Sequence, residues 1–246
     1  MKILSKKEFL ELNRKSAEKL YHDKKLQSDA LQVLVNADRY RWLHQSSWMG
    51  EPLLNLPQDM FAIQEIVYKT RPDFIIETGV AWGGSLLFHA SLLELIGGKY
   101  VVGIDVFLPR NLIDRLKKNK KLYKKIKLLK GSSTDSALIK KINAITGNSK
   151  KVLVILDSYH THDHVLQELR LYSKMVGKGY FLICGDTIVE KIPKQAHRKR
   201  AWGPGNNPET ALREFLKDSK RFKRQNSFDQ KMLLSCHPGG YLQAVK

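Results

Sequence analysis

Cysteine is scarce in this 246-residue chain: Cys184 and Cys236 are the only two, and their spacing matches neither a zinc-ligand pair nor a redox dithiol. A disulfide scaffold is thereby excluded, and the reducing cytoplasm is the expected compartment. Long apolar runs are missing as well. No stretch approaches the ~18–20 residues that a bilayer span needs, and the N-terminus breaks into charge before a signal-like block forms. The expectation is a protein neither secreted nor membrane-spanning. There is no internal repeat and no low-complexity linker, and the length suits one α/β domain. Acidic residues are in short supply, 24 Asp and Glu facing 43 Lys and Arg for a formal net charge of +19. The remaining composition, 42% hydrophobic and 27% charged, is ordinary for a globular protein and excludes a disordered or fibrous one.

The positive excess is localised. Residues 110–130 hold ten basic residues and one acid, Asp114. A second cluster comprises Lys191, Lys194, Arg198, Lys199 and Arg200, and a third Lys217, Lys220, Arg221, Lys223 and Arg224. Such clusters are either plain solvated surface or an attraction for an anionic partner: a charged substrate, an acidic glycan, a membrane surface or nucleic acid. Tyr123 is the one aromatic residue in the first cluster, whereas single-strand binders interleave several stacking faces with charge. Nucleic acid is therefore the disfavoured partner.

Residues 1–56 read as helices, with apolar faces at Phe9, Leu10 and Leu12 and at Leu31, Leu34 and Val35, and are expected to form a cap or a homo-oligomer surface. From Pro57 to residue 246 the pattern is regular. A helix ends before Pro72, and five short apolar runs follow, at 74–76, 100–104, 126–129, 152–156 and 180–184. Helical periodicity separates them at 85–96, 112–122, 137–145 and 164–175. That alternation predicts right-handed βαβ crossovers: an α/β, doubly wound, mostly parallel sheet. A polar loop rich in Gly and Pro, a helix at 209–216 and two strands at 231–236 and 241–245 complete the chain. The strands, separated by the turn-forming His237-Pro238-Gly239-Gly240, are expected to close the sheet as an antiparallel hairpin.

Ligands of such sheets bind beyond the carboxyl ends of the strands. The first run ends in Glu77-Thr78-Gly79-Val80-Ala81-Trp82-Gly83-Gly84-Ser85, whose glycines permit a tight turn and close approach to the backbone. The others end in or near Asp105, Asp135, Asp157 and Asp186. Asp105 lies 26 residues beyond Gly79, near the ~20-residue interval at which an acid takes ribose hydroxyls, so an adenosine-containing cofactor is expected. Glu77 would repel a pyrophosphate and attract the ammonium and sulfonium of S-adenosylmethionine, which charge therefore favours. Asp157 and Asp186 close adjacent strands, and two converging carboxylates with room for water suit Mg²⁺. His160, three residues past Asp157, is placed to take a proton from an acceptor hydroxyl, with a satisfied surface histidine as the alternative; His162 and His164 fit that alternative better.

These residues resemble the cephalosporin hydroxylase-like group of class I S-adenosylmethionine-dependent methyltransferases, related to macrolide-sugar and rhamnosyl O-methyltransferases. The likeness is carried by residues 74–85, by Gly131-Ser132-Ser133-Thr134-Asp135, by residues 156–165, by Gly185-Asp186-Thr187, by Gly203-Pro204-Gly205 and by residues 237–242. The resemblance implies that Glu77, Gly79, Ser85, Asp105, Ser133 and Asp157 line the cofactor site. It implies Asp157 and Asp186 as metal ligands and a methyltransferase domain over 57–246. His160 falls where catechol-type relatives place a lysine beside the acceptor hydroxyl. One position departs: relatives read Glu-Asp-Thr where this chain has Gly185-Asp186-Thr187, so one candidate metal carboxylate is absent. The expected reaction is methyl transfer to a hydroxyl of a sugar, glycan or glycosylated metabolite. An iron hydroxylase, a nucleic-acid methyltransferase and a non-catalytic binding module are the rivals.

Overall fold

The computed structural model describes residues 3–195 and 197–246, so residues 1, 2 and 196 of the segments named above lie outside it. In chain order the elements are α1 (Lys6–His22), α2 (Lys24–Ala37), β1 (Ser46–Trp48), β2 (Glu51–Leu53), α3 (Pro57–Thr70), β3 (Phe74–Thr78), α4 (Gly84–Ile96) and β4 (Tyr100–Asp105). They continue with α5 (Arg110–Lys118), α6 (Lys120–Tyr123), β5 (Ile126–Lys130), α7 (Ser136–Thr146), β6 (Val152–Leu156), α8 (His162–Tyr172) and β7 (Phe181–Cys184). The last are α9 (Pro208–Asp218), β8 (Phe222–Arg224), α10 (Asn226–Lys231) and β9 (Tyr241–Ala244). No helix among the described residues is long and apolar enough to cross a membrane.

Seven strands form one sheet in the order β5-β4-β3-β6-β7-β9-β8, parallel except for β9, which runs antiparallel to both neighbours. Every residue of β3 and β6 is buried, as strands covered by helices on both faces require. Ile75, Leu153 and Ile183 pack on the α3–α4 side, whereas Ile76, Val154 and Leu182 pack on the α7–α8 side. Because β3 is flanked by β4 on one side and β6 on the other, the chain winds away from it in both directions. A crevice opens at that switch point.

Three expectations need correction. Residues 46–53, read within 1–56 as helical, form the antiparallel β1–β2 hairpin. Residues 231–236 are not a strand; α10 and an irregular turn occupy that stretch, and the antiparallel partner of β9 is Phe222–Arg224. Only Phe222 of that strand is buried, so its alternation is too short to stand out from the surrounding basic residues. The expected helix at 112–122 is broken at Asn119, whose side-chain oxygen accepts from Leu122 N and starts α6.

The N-terminal helices are present. Helix α1, closed by a Ser5–Glu8 capping box, buries none of its residues and leaves Phe9, Leu10 and Leu12 exposed. The β1–β2 hairpin reaches the sheet: a Cβ on Gly84 would lie 2.3 Å from the Pro52 carbonyl, so only glycine lets the hairpin rest on the start of α4.

Candidate functional site

The turns after β3, β4, β5, β6 and β7 enclose a cavity of about 400 Å³. Glu77, Gly79, Ser85, Asp105, Ser133, Asp157, His160 and Asp186, singled out along more than a hundred residues of sequence, all line it. The N-terminal segment contributes to its wall through Asp38, His44 and Asn55.

Each residue has its own reason to be there. Gly79 sits at φ 87°, and a Cβ on it would lie 2.0 Å from the Asp157 carbonyl. Its missing side chain is therefore demanded by the close approach of β3 and β6 rather than by a ligand alone. The Asp105 carboxylate accepts from Val80 N at 2.8 Å, Ala81 N at 3.3 Å and Phe107 N at 2.9 Å, which ties the glycine-rich turn to the end of β4. Glu77, 2% exposed, accepts from Ser85 Oγ at 3.1 Å and faces His89 Nε2 at 3.5 Å. Ser133 Oγ lies 3.1 Å from His164 Nε2, and its carbonyl accepts from the buried Tyr172 hydroxyl.

At the deep end Asp157, His160 and Asp186 each bring one ligand-type atom within 4.8 Å of the others. His160 Nε2 is 3.4 Å from Asp186 Oδ2 and 3.9 Å from Asp157 Oδ1. Burial pushes the Asp157 carboxyl well above the ordinary aspartate range, and the Asp186 and Glu77 carboxylates push it further. Burial also lowers His160 below the usual histidine value, against the pull of Asp186. The ring is thus a neutral base, and among the described residues neither carboxylate makes an ion pair with a lysine or arginine. Two such carboxylates are an oxygen donor set that fits a divalent cation, and the imidazole nitrogen beside them is left to accept a proton.

His162 lies outside the cavity lining, whereas His164 is part of it but is held by other partners. His162 Nδ1 meets Thr210 Oγ1 at 2.9 Å and its Nε2 meets Glu214 at 3.2 Å, while His164 lies among Ser133, Ser158 and Glu168. At Gly185 a Cβ would lie 2.6 Å from the Leu156 carbonyl and 2.9 Å from Asp157 Oδ1, so this backbone has no room for a glutamate. The basic clusters are partly consumed by the fold: Arg221 donates to the Ser173 and Val176 carbonyls, and Arg224 is bidentate on Glu209.

Sequence reasoning missed two supports of the site. His237, noted only as part of a turn, is fully buried and its Nδ1 accepts from Asp186 N at 3.0 Å. Asp59, in α3, is fully buried and accepts from Ser235 Oγ, Cys236 N and Tyr241 Oη, fixing the segment that carries His237. A buried acid early in an apolar helix was the one signal available for Asp59.

Known proteins resemble this chain in sequence and in fold. The family described as Rhamnosyl O-methyltransferase/CmcI matches residues 40–245. Rhamnosyl O-methyltransferase of Mycobacterium tuberculosis is 28% identical over 221 residues, 85% of this chain and 84% of that one, and the Mycobacterium bovis protein matches equally. Among solved structures, apo CmcI superposes with a TM-score of 0.57 at 18% identity, covering 82% of this chain and 77% of that one. CmcI with Mg and SAM gives 0.55 at 17%, covering 85% and 84%. These two share the fold of this chain.

Proposed function

We propose, from the premise that this chain belongs to the rhamnosyl O-methyltransferase/CmcI family, that it transfers a methyl group from S-adenosylmethionine to a sugar hydroxyl in the cavity at the β3–β6 switch point. The observation that carries this reading is the convergence of Glu77, Asp157, Asp186 and His160 on one cavity whose volume suits a small-molecule site. Support comes also from the mycobacterial relatives, named rhamnosyl O-methyltransferases, and from CmcI, which shares this fold and holds Mg and SAM.

The cofactor supplies an electrophilic methyl carbon, and a divalent cation adds Lewis-acid polarisation of the acceptor hydroxyl. The rest falls to the chain. Glu77 and Asp105 present negative charge to a cationic donor. Asp157 and Asp186 would hold the cation, and His160 takes the hydroxyl proton on Nε2 as the new C–O bond forms and the C–S bond breaks. The neutral state that burial imposes on His160 is the one that can accept it. Trp82, Tyr159 and Trp202 line the cavity with aromatic faces suited to the apolar side of a sugar ring, and Trp202 meets the His160 ring edge-on at 5.1 Å. Positioning of nucleophile and methyl carbon in line supplies much of the rate.

Calorimetry with S-adenosylhomocysteine, followed by methyl transfer from S-adenosylmethionine to a panel of rhamnosides and hexosides, tests the reading. Saturable nucleotide binding and a methylated glycoside support it; no binding at millimolar nucleotide overturns it.

A further inference from the structure

The cavity has two poles, and methyl transfer as described uses one of them. Its deep end is acidic, with Glu77, Asp157 and Asp186. Another part of its lining is cationic. It is built by Arg198 and Arg200, from the loop after β7, and by His44 of the N-terminal segment. Arg198 donates from Nη1 to Asp38 Oδ1 at 2.5 Å and from Nη2 to His44 Nε2 at 3.4 Å. Asp38 is shared with His197, 3.1 Å away. Arg200, half-buried, has no hydrogen bond and no ion pair among the described residues. Two guanidinium groups therefore line the cavity; Asp38 is taken by Arg198 and His197, and Asp186 acts on Arg200 without an ion pair between them.

Two further observations point to a missing anion. Burial, with Arg198 beside it, pushes Arg200 below the ordinary arginine value, against the pull of Asp38 and Asp186. His44 accepts at Nε2, so its neutral ring carries the proton on Nδ1, and that buried donor has no partner among the described residues. Arg200 precedes Trp202 by two residues, at most about 7 Å of chain, and Trp202 touches His160. The cationic residues and the proposed base thus line one cavity.

Resting on the reading above, we propose that Arg198 and Arg200 form an anion subsite and that the acceptor is an anionic sugar. Its phosphate or carboxylate is gripped by the guanidinium pair while its hydroxyl lies against His160. The planar fork of arginine matches both groups bidentately. The acidic pole repels the same anion, so the two poles fix which end of the acceptor meets the methyl group. A neutral sugar gains nothing from this polarity.

The test is calorimetry on the full chain with S-adenosylhomocysteine bound, using a hexose 1-phosphate, a hexuronate, inorganic phosphate and a neutral hexose. Arg200→Gln, Arg200→Lys and Lys117→Gln, at an exposed position outside the cavity lining, serve as comparisons. The anionic sugars bind at least about tenfold more tightly than the neutral hexose, Arg200→Gln removes that preference, Arg200→Lys recovers part of it, and Lys117→Gln leaves it intact. Phosphate against carboxylate affinity then separates the two anions. Equal affinity for neutral and anionic sugars overturns the subsite and leaves methyl transfer standing. Equal losses in Arg200→Gln and Lys117→Gln, or weakened nucleotide binding in Arg200→Gln, overturn it also, as diffuse surface charge and a nucleotide contact respectively. Failure of the wild-type chain to bind the nucleotide overturns the parent reading and the subsite with it.

Discussion

Asp186 donates its backbone N–H to Nδ1 of the fully buried His237 over 3.0 Å, and it does so from a left-handed conformation, φ 49°. Aspartate tolerates that region better than most residues but does not prefer it. The turn that carries His237 is therefore what holds the Asp186 carboxylate toward Asp157 and His160, and the turn is itself fixed to α3 through Asp59.

His237→Leu leaves the Asp186 N–H unpaired and is expected to cost about 1–3 kcal/mol of stability and to weaken Mn²⁺ binding. His237→Asn, whose side-chain oxygen offers an acceptor in a similar place, is expected to restore part of both. Thermal melts and Mn²⁺ titration of the two variants check this; metal affinity unchanged in His237→Leu would remove the positioning role.

The raised Asp157 sets a pH dependence in metal-free protein. A carboxyl whose folded pKa lies above its unfolded value of about 3.8 favours folding in its protonated form. Its contribution is complete below pH 3.8 and is lost as pH rises through the folded value. The Asp157→Asn protein lacks that loss, so its Tm rises relative to wild type with increasing pH. Divalent cation is expected to narrow the gap by stabilising wild type alone. Parallel melts in chelator across the acid-to-neutral range decide the matter, and a pH-independent difference contradicts it.

For His160, replacement by Asn is expected to lower kcat by about 10²–10⁴ while S-adenosylhomocysteine binding is unchanged. Because burial depresses this histidine, the acid limb of wild-type kcat/KM is expected below pH 6.5, the ordinary histidine value. A limb above that value would mean another group supplies the base.

Gly185→Glu adds a third carboxylate beside Asp186, yet it is expected to harm rather than help. Its Cβ would lie 2.9 Å from Asp157 Oδ1 and 2.6 Å from the Leu156 carbonyl, so Asp157 or the β6 end must move. Lower Tm and weaker cation binding are the expected outcomes; tighter binding at unchanged Tm would show that the backbone relaxes to admit a third carboxylate.

The sequence by itself determined the alternation of buried strands and helices, and with it the parallel sheet. It also determined that acids stand at the strand ends, because hydrophobic period and turn chemistry act over a few neighbouring residues. Short apolar runs such as 74–76 and 152–156 are legible for that reason, whereas three-residue β8 is too short to show a period. Which ends become neighbours is not local. The sheet order puts β3 between β4 and β6, sets Gly79 against the Asp157 carbonyl, and gathers His160 with Asp157 and Asp186. It also brings Arg198 to Asp38 and His237 under Asp186, contacts made across 160 and 51 residues. Their existence depends on how helices and strands pack once formed, a choice that no stretch of adjacent residues encodes alone.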